Sequence, residues 1–119
     1  MRSLKNPKKI EPLKKAFGEY FDQLELVEAD LLDENSLMKA CSGSTYIVHT
    51  ASPFPIENPT HEDELIKPAV EGTLAIMKAA KANKVKRVVI TSSIAAIMVT
   101  RDENKTKFSV EDWSDTSIA

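Results

Sequence analysis

Glycine is the first shortage. The 119 residues hold only three, Gly18, Gly43 and Gly72. None has the spacing of a glycine-rich phosphate-binding loop, so no such cradle is encoded here. Cysteine is scarcer still. Cys41 stands alone, which excludes an internal disulfide and fits a reducing compartment. It reads as a small buried hydrophobe on a helix. With one Cys and two separated histidines, His49 and His61, no metal site assembles by any familiar spacing. Excess charge is missing too. Sixteen Lys and Arg against eighteen Asp and Glu leave a net −2, which argues against nucleic acid or an anionic membrane as partner. No apolar run reaches bilayer length, and the first five residues lack the apolar core of a signal peptide. The expectation is one small cytoplasmic domain with a modest core.

What the chain does hold is clearest at Arg87-Val88-Val89-Ile90-Thr91-Ser92-Ser93. A β-branched run without polar alternation predicts a strand buried on both faces, as in a parallel sheet. It ends in three hydroxyls at its carboxyl end, the edge at which open α/β sheets bind ligands. Taken alone, a Thr-Ser-Ser is more simply a hydroxyl-rich turn.

Upstream, a basic entry (Arg2, Lys5, Lys8, Lys9) precedes a helix whose first turn is set by Pro12. Leu13, Ala16, Phe17 and Tyr20 share its inner face. Residues 24–29 alternate apolar and polar and predict a strand with one covered face. Asp33 and Asn35 can cap a short helix with Leu37, Ala40 and Cys41 inward, closed by Gly43. Residues 45–49 predict a further strand. A loop over 50–59, set by three prolines, leads to a long helix from about 62 to 82. Its apolar residues occupy more than one stripe, which predicts cover on two sides, and Pro68 should kink it or set its effective start. The tail from Val99 is polar, with a turn at 101–105 and a Trp113 that either plugs an apolar gap or lies on the surface. Helices fill the gaps between strands, as parallel pairing with right-handed crossovers requires.

Five segments carry a resemblance: Ala29-Asp30-Leu31, His49-Thr50-Ala51-Ser52-Pro53, Lys67 through Thr73, Ile90-Thr91-Ser92-Ser93 and Trp113-Ser114-Asp115. In this order and spacing the chain resembles the extended short-chain dehydrogenase/reductase superfamily (the epimerase/dehydratase superfamily). The likeness is greatest to its dihydroflavonol reductase branch, with the cinnamoyl-CoA and methylglyoxal reductases. The resemblance implies a partial Rossmann-like, doubly wound parallel α/β sheet of about three strands with crossover helices. The first βαβ unit would be lacking, and residues 1–119 would form the middle part of an NAD(P)-binding domain. It also implies an oxidoreductase that takes hydride from NADPH to reduce a small-molecule aldehyde or ketone.

Residue by residue, the resemblance implies that Arg2 and Lys9 hold the 2′-phosphate of NADP, the guanidinium as a bidentate clamp and the ammonium as a point charge. Asp30 and Leu31 would lie beside the adenine. Thr50, Ala51 and Ser52 would pass under the ribose and pyrophosphate, where small residues let backbone approach. Thr91 and Ser92 fall on the cofactor side of the last strand end. Ser93 matches the catalytic serine, hydrogen-bonded to the substrate carbonyl oxygen, with Ser92 as its alternative if the register differs by one. His49 reads as a packed strand residue. Two departures limit what this stretch can do. The glycine fingerprint is absent, and so is the Tyr-x-x-x-Lys pair, since Tyr20 is followed by Leu24 and Tyr46 by Thr50. An internal fragment of a reductase, inactive by itself and able to self-associate through a bare strand edge, is the expected result. A truncated nucleotide-binding or interaction module and an NAD-using steroid dehydrogenase or sugar epimerase relative are the competing readings.

Overall fold

Small residues on one side of a long helix set how closely everything else can pack. The computed structural model describes residues 1–54 and 59–118, in two compact units, Met1–Val89 and Ile90–Ala119. In the first unit the elements run α1 (Pro7–Phe17), a 3-10 turn (Gly18–Gln23), α2 (Glu34–Ala40), β1 (Tyr46–His49) and α3 (Asp63–Ala82). Strand β2 (Arg87–Ile90) follows α3 and pairs with β1 in a two-stranded parallel sheet. Helix α3 is the crossover that lets the two strands run the same way.

Helix α3 turns Gly72, Ala75, Ile76, Ala79 and Ala80 inward, and all five are buried. Leu37 of α2 and Cys41 at its C-cap complete the core, with Ala29, Met38, Ile47 and Val88 packed around it. Burying Leu37 and Ile76 stabilises the unit by roughly 1.5–3 kcal/mol each. Asp33 caps α2, its carboxylate accepting from the Asn35 and Ser36 amides at 3.0 and 3.1 Å. An exposed ion pair from Lys78 on α3 to Glu34 on α2, 2.8 Å, adds little beside this packing. Burial raises the Cys41 thiol pKa above its ordinary value, as suits the inert packed cysteine expected there.

Several expectations change in detail. Helix α1 starts at Pro7, with Asn6 as its cap, so Pro12 is interior and Pro7 takes the first-turn role. Its predicted inner face is only shallowly covered, Leu13 half-buried and Ala16, Phe17 and Tyr20 exposed. Residues 24–29 do not form a ladder long enough to be a strand. Among the described residues their main chain bridges only to Met1, whose ammonium donates to the Val27 carbonyl and whose carbonyl accepts from the Ala29 amide, each at 2.9 Å, while the Glu28 carboxylate accepts from the Leu4 amide at 2.7 Å. Strand β2 is not buried on both faces, since Val89 and Ile90 are exposed. The second stripe of α3 (Ile66, Val70, Leu74, Met77) is exposed rather than covered. In each case one face lacks a second layer. Pro68 lies inside α3 and does not set its start. Of the loop over 50–59, residues 55–58 lie outside the described residues, as does Ala119 at the end of the tail.

The second unit is held by polar side chains. Ser114 donates its hydroxyl to the Ala95 carbonyl at 2.6 Å and accepts from the Val99 amide at 3.0 Å. The Asp115 carboxyl is held below its ordinary range by hydrogen bonds from the Ser117 hydroxyl and amide, with Arg101 adding to them. Asp112 is lowered likewise by its bond to Lys105 and by the Ser109 amide. The turn expected at 101–105 closes through Lys105 N–H to the Asp102 carbonyl, 3.1 Å. Trp113 takes the surface alternative, 81% exposed.

Two positions on α3 are diagnostic. A Cβ on Gly72 would stand 2.9 Å from Leu31 Cδ2, 3.2 Å from its Cβ and 3.4 Å from its Cγ. Gly72→Ala should therefore destabilise the unit by about 1–2 kcal/mol despite alanine's better helix propensity, measured by urea titration. At the other end, Lys84 sits at φ 55° as the left-handed residue of a Schellman close. The Val85 amide bonds the Ala80 carbonyl at 2.9 Å and the Lys84 amide bonds the Lys81 carbonyl at 3.2 Å. Lys84→Gly should stabilise by about 0.5–1 kcal/mol in the same titration, because glycine adopts this backbone without strain.

Candidate nucleotide site

The residues that follow Ala29 and those that follow His49 line one cavity of about 700 Å³, whose walls all belong to the first unit. After Ala29 the chain turns at Asp30, whose Oδ1 accepts from the Leu32 amide at 3.0 Å. The Asp30 amide donates to Ser36 Oγ, also at 3.0 Å, which ties this turn to the start of α2. This leaves the second carboxylate oxygen of Asp30 able to accept from a ligand. Leu31 is wedged against Gly72, so the missing Cβ there fixes how deep the turn sits. After His49, the small residues Thr50, Ala51 and Ser52 continue along the cavity wall before Pro53 sets the direction of the loop. Arg2 lines the same cavity.

The structure thus brings together Arg2, Asp30, Leu31, Thr50, Ala51 and Ser52. Lys9 is not among the cavity walls. It lies exposed on the first turn of α1. Thr91, Ser92 and Ser93 belong to the second unit and are exposed. There Ser93 caps the 3-10 turn Ile94–Ala96, its hydroxyl oxygen accepting from the Ala95 amide at 3.2 Å. An oxygen that accepts in this way keeps its own proton for donation. His49 is buried at the end of β1, in keeping with a packed strand residue. Glu64, Leu65 and Pro68, from the first half of α3, also line the cavity and were not named as site residues in the sequence. Pro68 stood there as a possible kink or start of the helix and within the Lys67–Thr73 motif, and nothing in the spacing of Glu64 or Leu65 distinguishes them from an ordinary first turn.

As a donor set, these walls suit the adenosine end of a dinucleotide. They offer a carboxylate for an exocyclic amine, a guanidinium for a phosphate and small residues for close approach. They do not include a glycine among the described residues, so the backbone cradle of a pyrophosphate is not built here.

The chain matches the model of the 3-beta hydroxysteroid dehydrogenase/isomerase family over residues 6–116. It is 39% identical over 119 residues to a dihydroflavonol 4-reductase of Medicago sativa, covering 99% of this chain and 54% of that protein. To tetraketide alpha-pyrone reductase 1 of Arabidopsis thaliana it is 39% identical over 116 residues, 95% of this chain and 34% of the relative. Its fold is similar to the yeast methylglyoxal/isovaleraldehyde reductase Gre2 in complex with NADPH, with TM-score 0.69 and 32% identity over 96% of this chain and 35% of that one. The chain therefore spans between about a third and a half of the length of these relatives. Sequence, fold and family model agree: the chain belongs to the 3-beta hydroxysteroid dehydrogenase/isomerase family of NAD(P)-dependent reductases, within its dihydroflavonol reductase-like branch.

Proposed function

We propose that residues 1–119 form the middle part of the nucleotide-binding domain of an NADP-dependent, cytoplasmic carbonyl reductase. The observation that carries this reading is the convergence of Arg2, Asp30 and Thr50–Ala51–Ser52 on one cavity, the last three at the carboxyl end of β1. Arg2 holds the 2′-phosphate, with Lys9 as a more distant positive charge. Asp30 accepts from the adenine amine, and Leu31 packs beside the ring. Thr50, Ala51 and Ser52 let the backbone run close under the ribose, while Thr91 and Ser92 serve the cofactor from the second strand end. The bound nicotinamide supplies the hydride for a small aldehyde or ketone.

In that reaction Ser93 donates its hydroxyl proton as a hydrogen bond to the carbonyl oxygen, where negative charge builds as hydride arrives. Its acceptance from the Ala95 amide supports this by orienting the oxygen and leaving the proton free. Serine does not complete the reaction, because the new alkoxide needs a proton. The family's donor is a tyrosine helped by a lysine four residues on, and neither Tyr20 nor Tyr46 has such a partner. The purified chain alone is thus inactive, and without a pyrophosphate cradle it holds NADPH weakly. Among the described residues β1 has a strand neighbour on one edge only, and the chain self-associates through the other.

Two measurements test this reading. In isothermal titration, the chain should prefer 2′,5′-ADP over 5′-AMP by about tenfold, the worth of a charge-assisted phosphate contact. Arg2→Gln should erase the preference and leave 5′-AMP binding unchanged, whereas an undiminished preference would remove Arg2 from the site. The purified chain should also show no NADPH oxidation with methylglyoxal or a dihydroflavonol. Clear turnover would overturn the assignment of a missing proton donor.

A further inference from the structure

Charge is spread unevenly along the chain, although its sum is only −2. Between Lys15 and Lys39 stand seven acidic residues and no basic one. Between Glu71 and Asp102 there is no acidic residue, and five basic ones crowd into 78–87. Both of these clusters belong to the first unit. We propose that the basic edge at the end of α3 docks the acidic segment 19–25 of a second copy of this chain.

Lys81, Lys84, Lys86 and Arg87 are all exposed where α3 hands over to β2. Two contacts fix this edge. The Asn83 side-chain amide donates to Met38 Sδ at 3.8 Å, and the Lys86 amide donates to the Thr45 carbonyl at 2.9 Å. The first brings the end of α2 alongside, and with it the exposed Lys39. Lys78 is paired with Glu34, but among the described residues the other four cations and Lys39 have no ion-pair partner. A cation in the last turn complements the negative end of a helix, and Lys81 supplies it. The rest exceed that need. Lys84 does so against its own backbone, at a left-handed φ of 55° that glycine would adopt without strain. What a lysine adds there is charge on the surface, not support for the fold.

The acidic run divides in two. Glu28 accepts from the Leu4 amide, Asp30 from the Leu32 amide, Asp33 caps α2 and Glu34 meets Lys78. Glu19, Asp22 and Glu25 are exposed and have no ion pair among the described residues. Glu19 and Asp22 lie on the 3-10 turn Gly18–Gln23, where residues three apart share a face. The segment thus offers grouped carboxylates to grouped ammonium ions. Lysines suit such a contact, being point charges on flexible stems that need no fixed geometry. A long polyanion would be repelled by the acidic run, whereas a second copy brings a carboxylate cluster of matching size. Exposed pairs are individually weak, so the contact holds only where several form together at low ionic strength. Neither cluster lines the nucleotide cavity, so the inference does not rest on the NADP reading.

The test is sedimentation equilibrium on the full chain and two double variants, Lys84→Glu/Lys86→Glu and Asp22→Lys/Glu25→Lys. The unaltered chain should associate at about 20 mM salt and about tenfold more weakly at about 300 mM. Each variant alone should lose that low-salt association. An equimolar mixture of the two should recover it, because every altered patch then meets its opposite. Circular dichroism checks that both fold, and Lys84→Gly/Lys86→Gln replaces the first variant if it does not, with the same loss expected. A chain that stays monomeric at low salt overturns the proposal. So does a mixture that fails to recover association. Association that ignores salt and both variants belongs to the open edge of β1 and overturns the charge contact while sparing that edge. Binding of a poly-glutamate peptide without self-association assigns the basic edge to a different acidic protein and overturns the second copy as its occupant.

Discussion

The contact between Leu31 and the bare backbone face of Gly72 is the constraint on which the rest of the first unit depends. With no Cβ at position 72, the turn after Ala29 sits directly on α3. The same helix face continues as Ala75 and Ala79, small enough for α2 to close over it with Leu37 and Cys41. Glycine inside a helix costs about 0.5–1 kcal/mol against alanine, so its presence here needs a compensating gain. That gain is the close approach, which places Asp30 and Leu31 on the cavity wall and ties them through Ser36 to the capped start of α2. One missing methyl group links the core to the site.

Stability and function draw on different sides of the same elements. The inner side of α3 and the covered side of β1 supply the core, with Ala79 fully buried and His49 nearly so. Their outer sides stay open: Tyr46 and Val48 on the strand, and Ile66, Val70, Leu74 and Met77 on the helix. A doubly wound sheet needs layers on both faces and neighbours on interior strand edges. Among the described residues only one such layer packs on β1. The second unit solves its own packing differently, through Ser114, Asp112 and Asp115, whose hydrogen bonds take the place of a core.

Much of this was legible in the residues. The 3.6-residue period and the apolar content of 63–82 specify a long helix whatever surrounds it, and β-branched runs specify extended chain at 46–49 and 87–90. Asp33 capping a short helix, Cys41 as a packed hydrophobe and the turn closed at Asp102 are local matters and read correctly. The misreadings share a cause. Residues 24–29 have strand alternation, but a strand exists only by pairing, and Met1 supplies a single rung. Val89 and the second stripe of α3 have core-like composition, but burial requires a covering layer that periodicity cannot report. Pro7 and Pro12 are equally good first-turn prolines, and the Asn6 cap decides between them.

The sequence by itself therefore determined the family, the three helices and the strands at 46–49 and 87–90, because these rest on local propensity and on motifs such as Asp30-Leu31 and Thr50-Ala51-Ser52. Tertiary structure alone decided which of those motifs meet. Arg2, Asp30 and Thr50 stand tens of residues apart in the chain, and the packing of Leu31 on α3 helps bring them to one cavity. Lys9, equally basic and only seven residues from Arg2, is held outside that wall by the helix that starts at Pro7. Thr91-Ser92-Ser93, where the sequence first pointed to chemistry, becomes an exposed cap on a separate unit, with Ser93 oriented by the Ala95 amide. Contact between distant residues is a property of packing, and packing depends on which faces are covered.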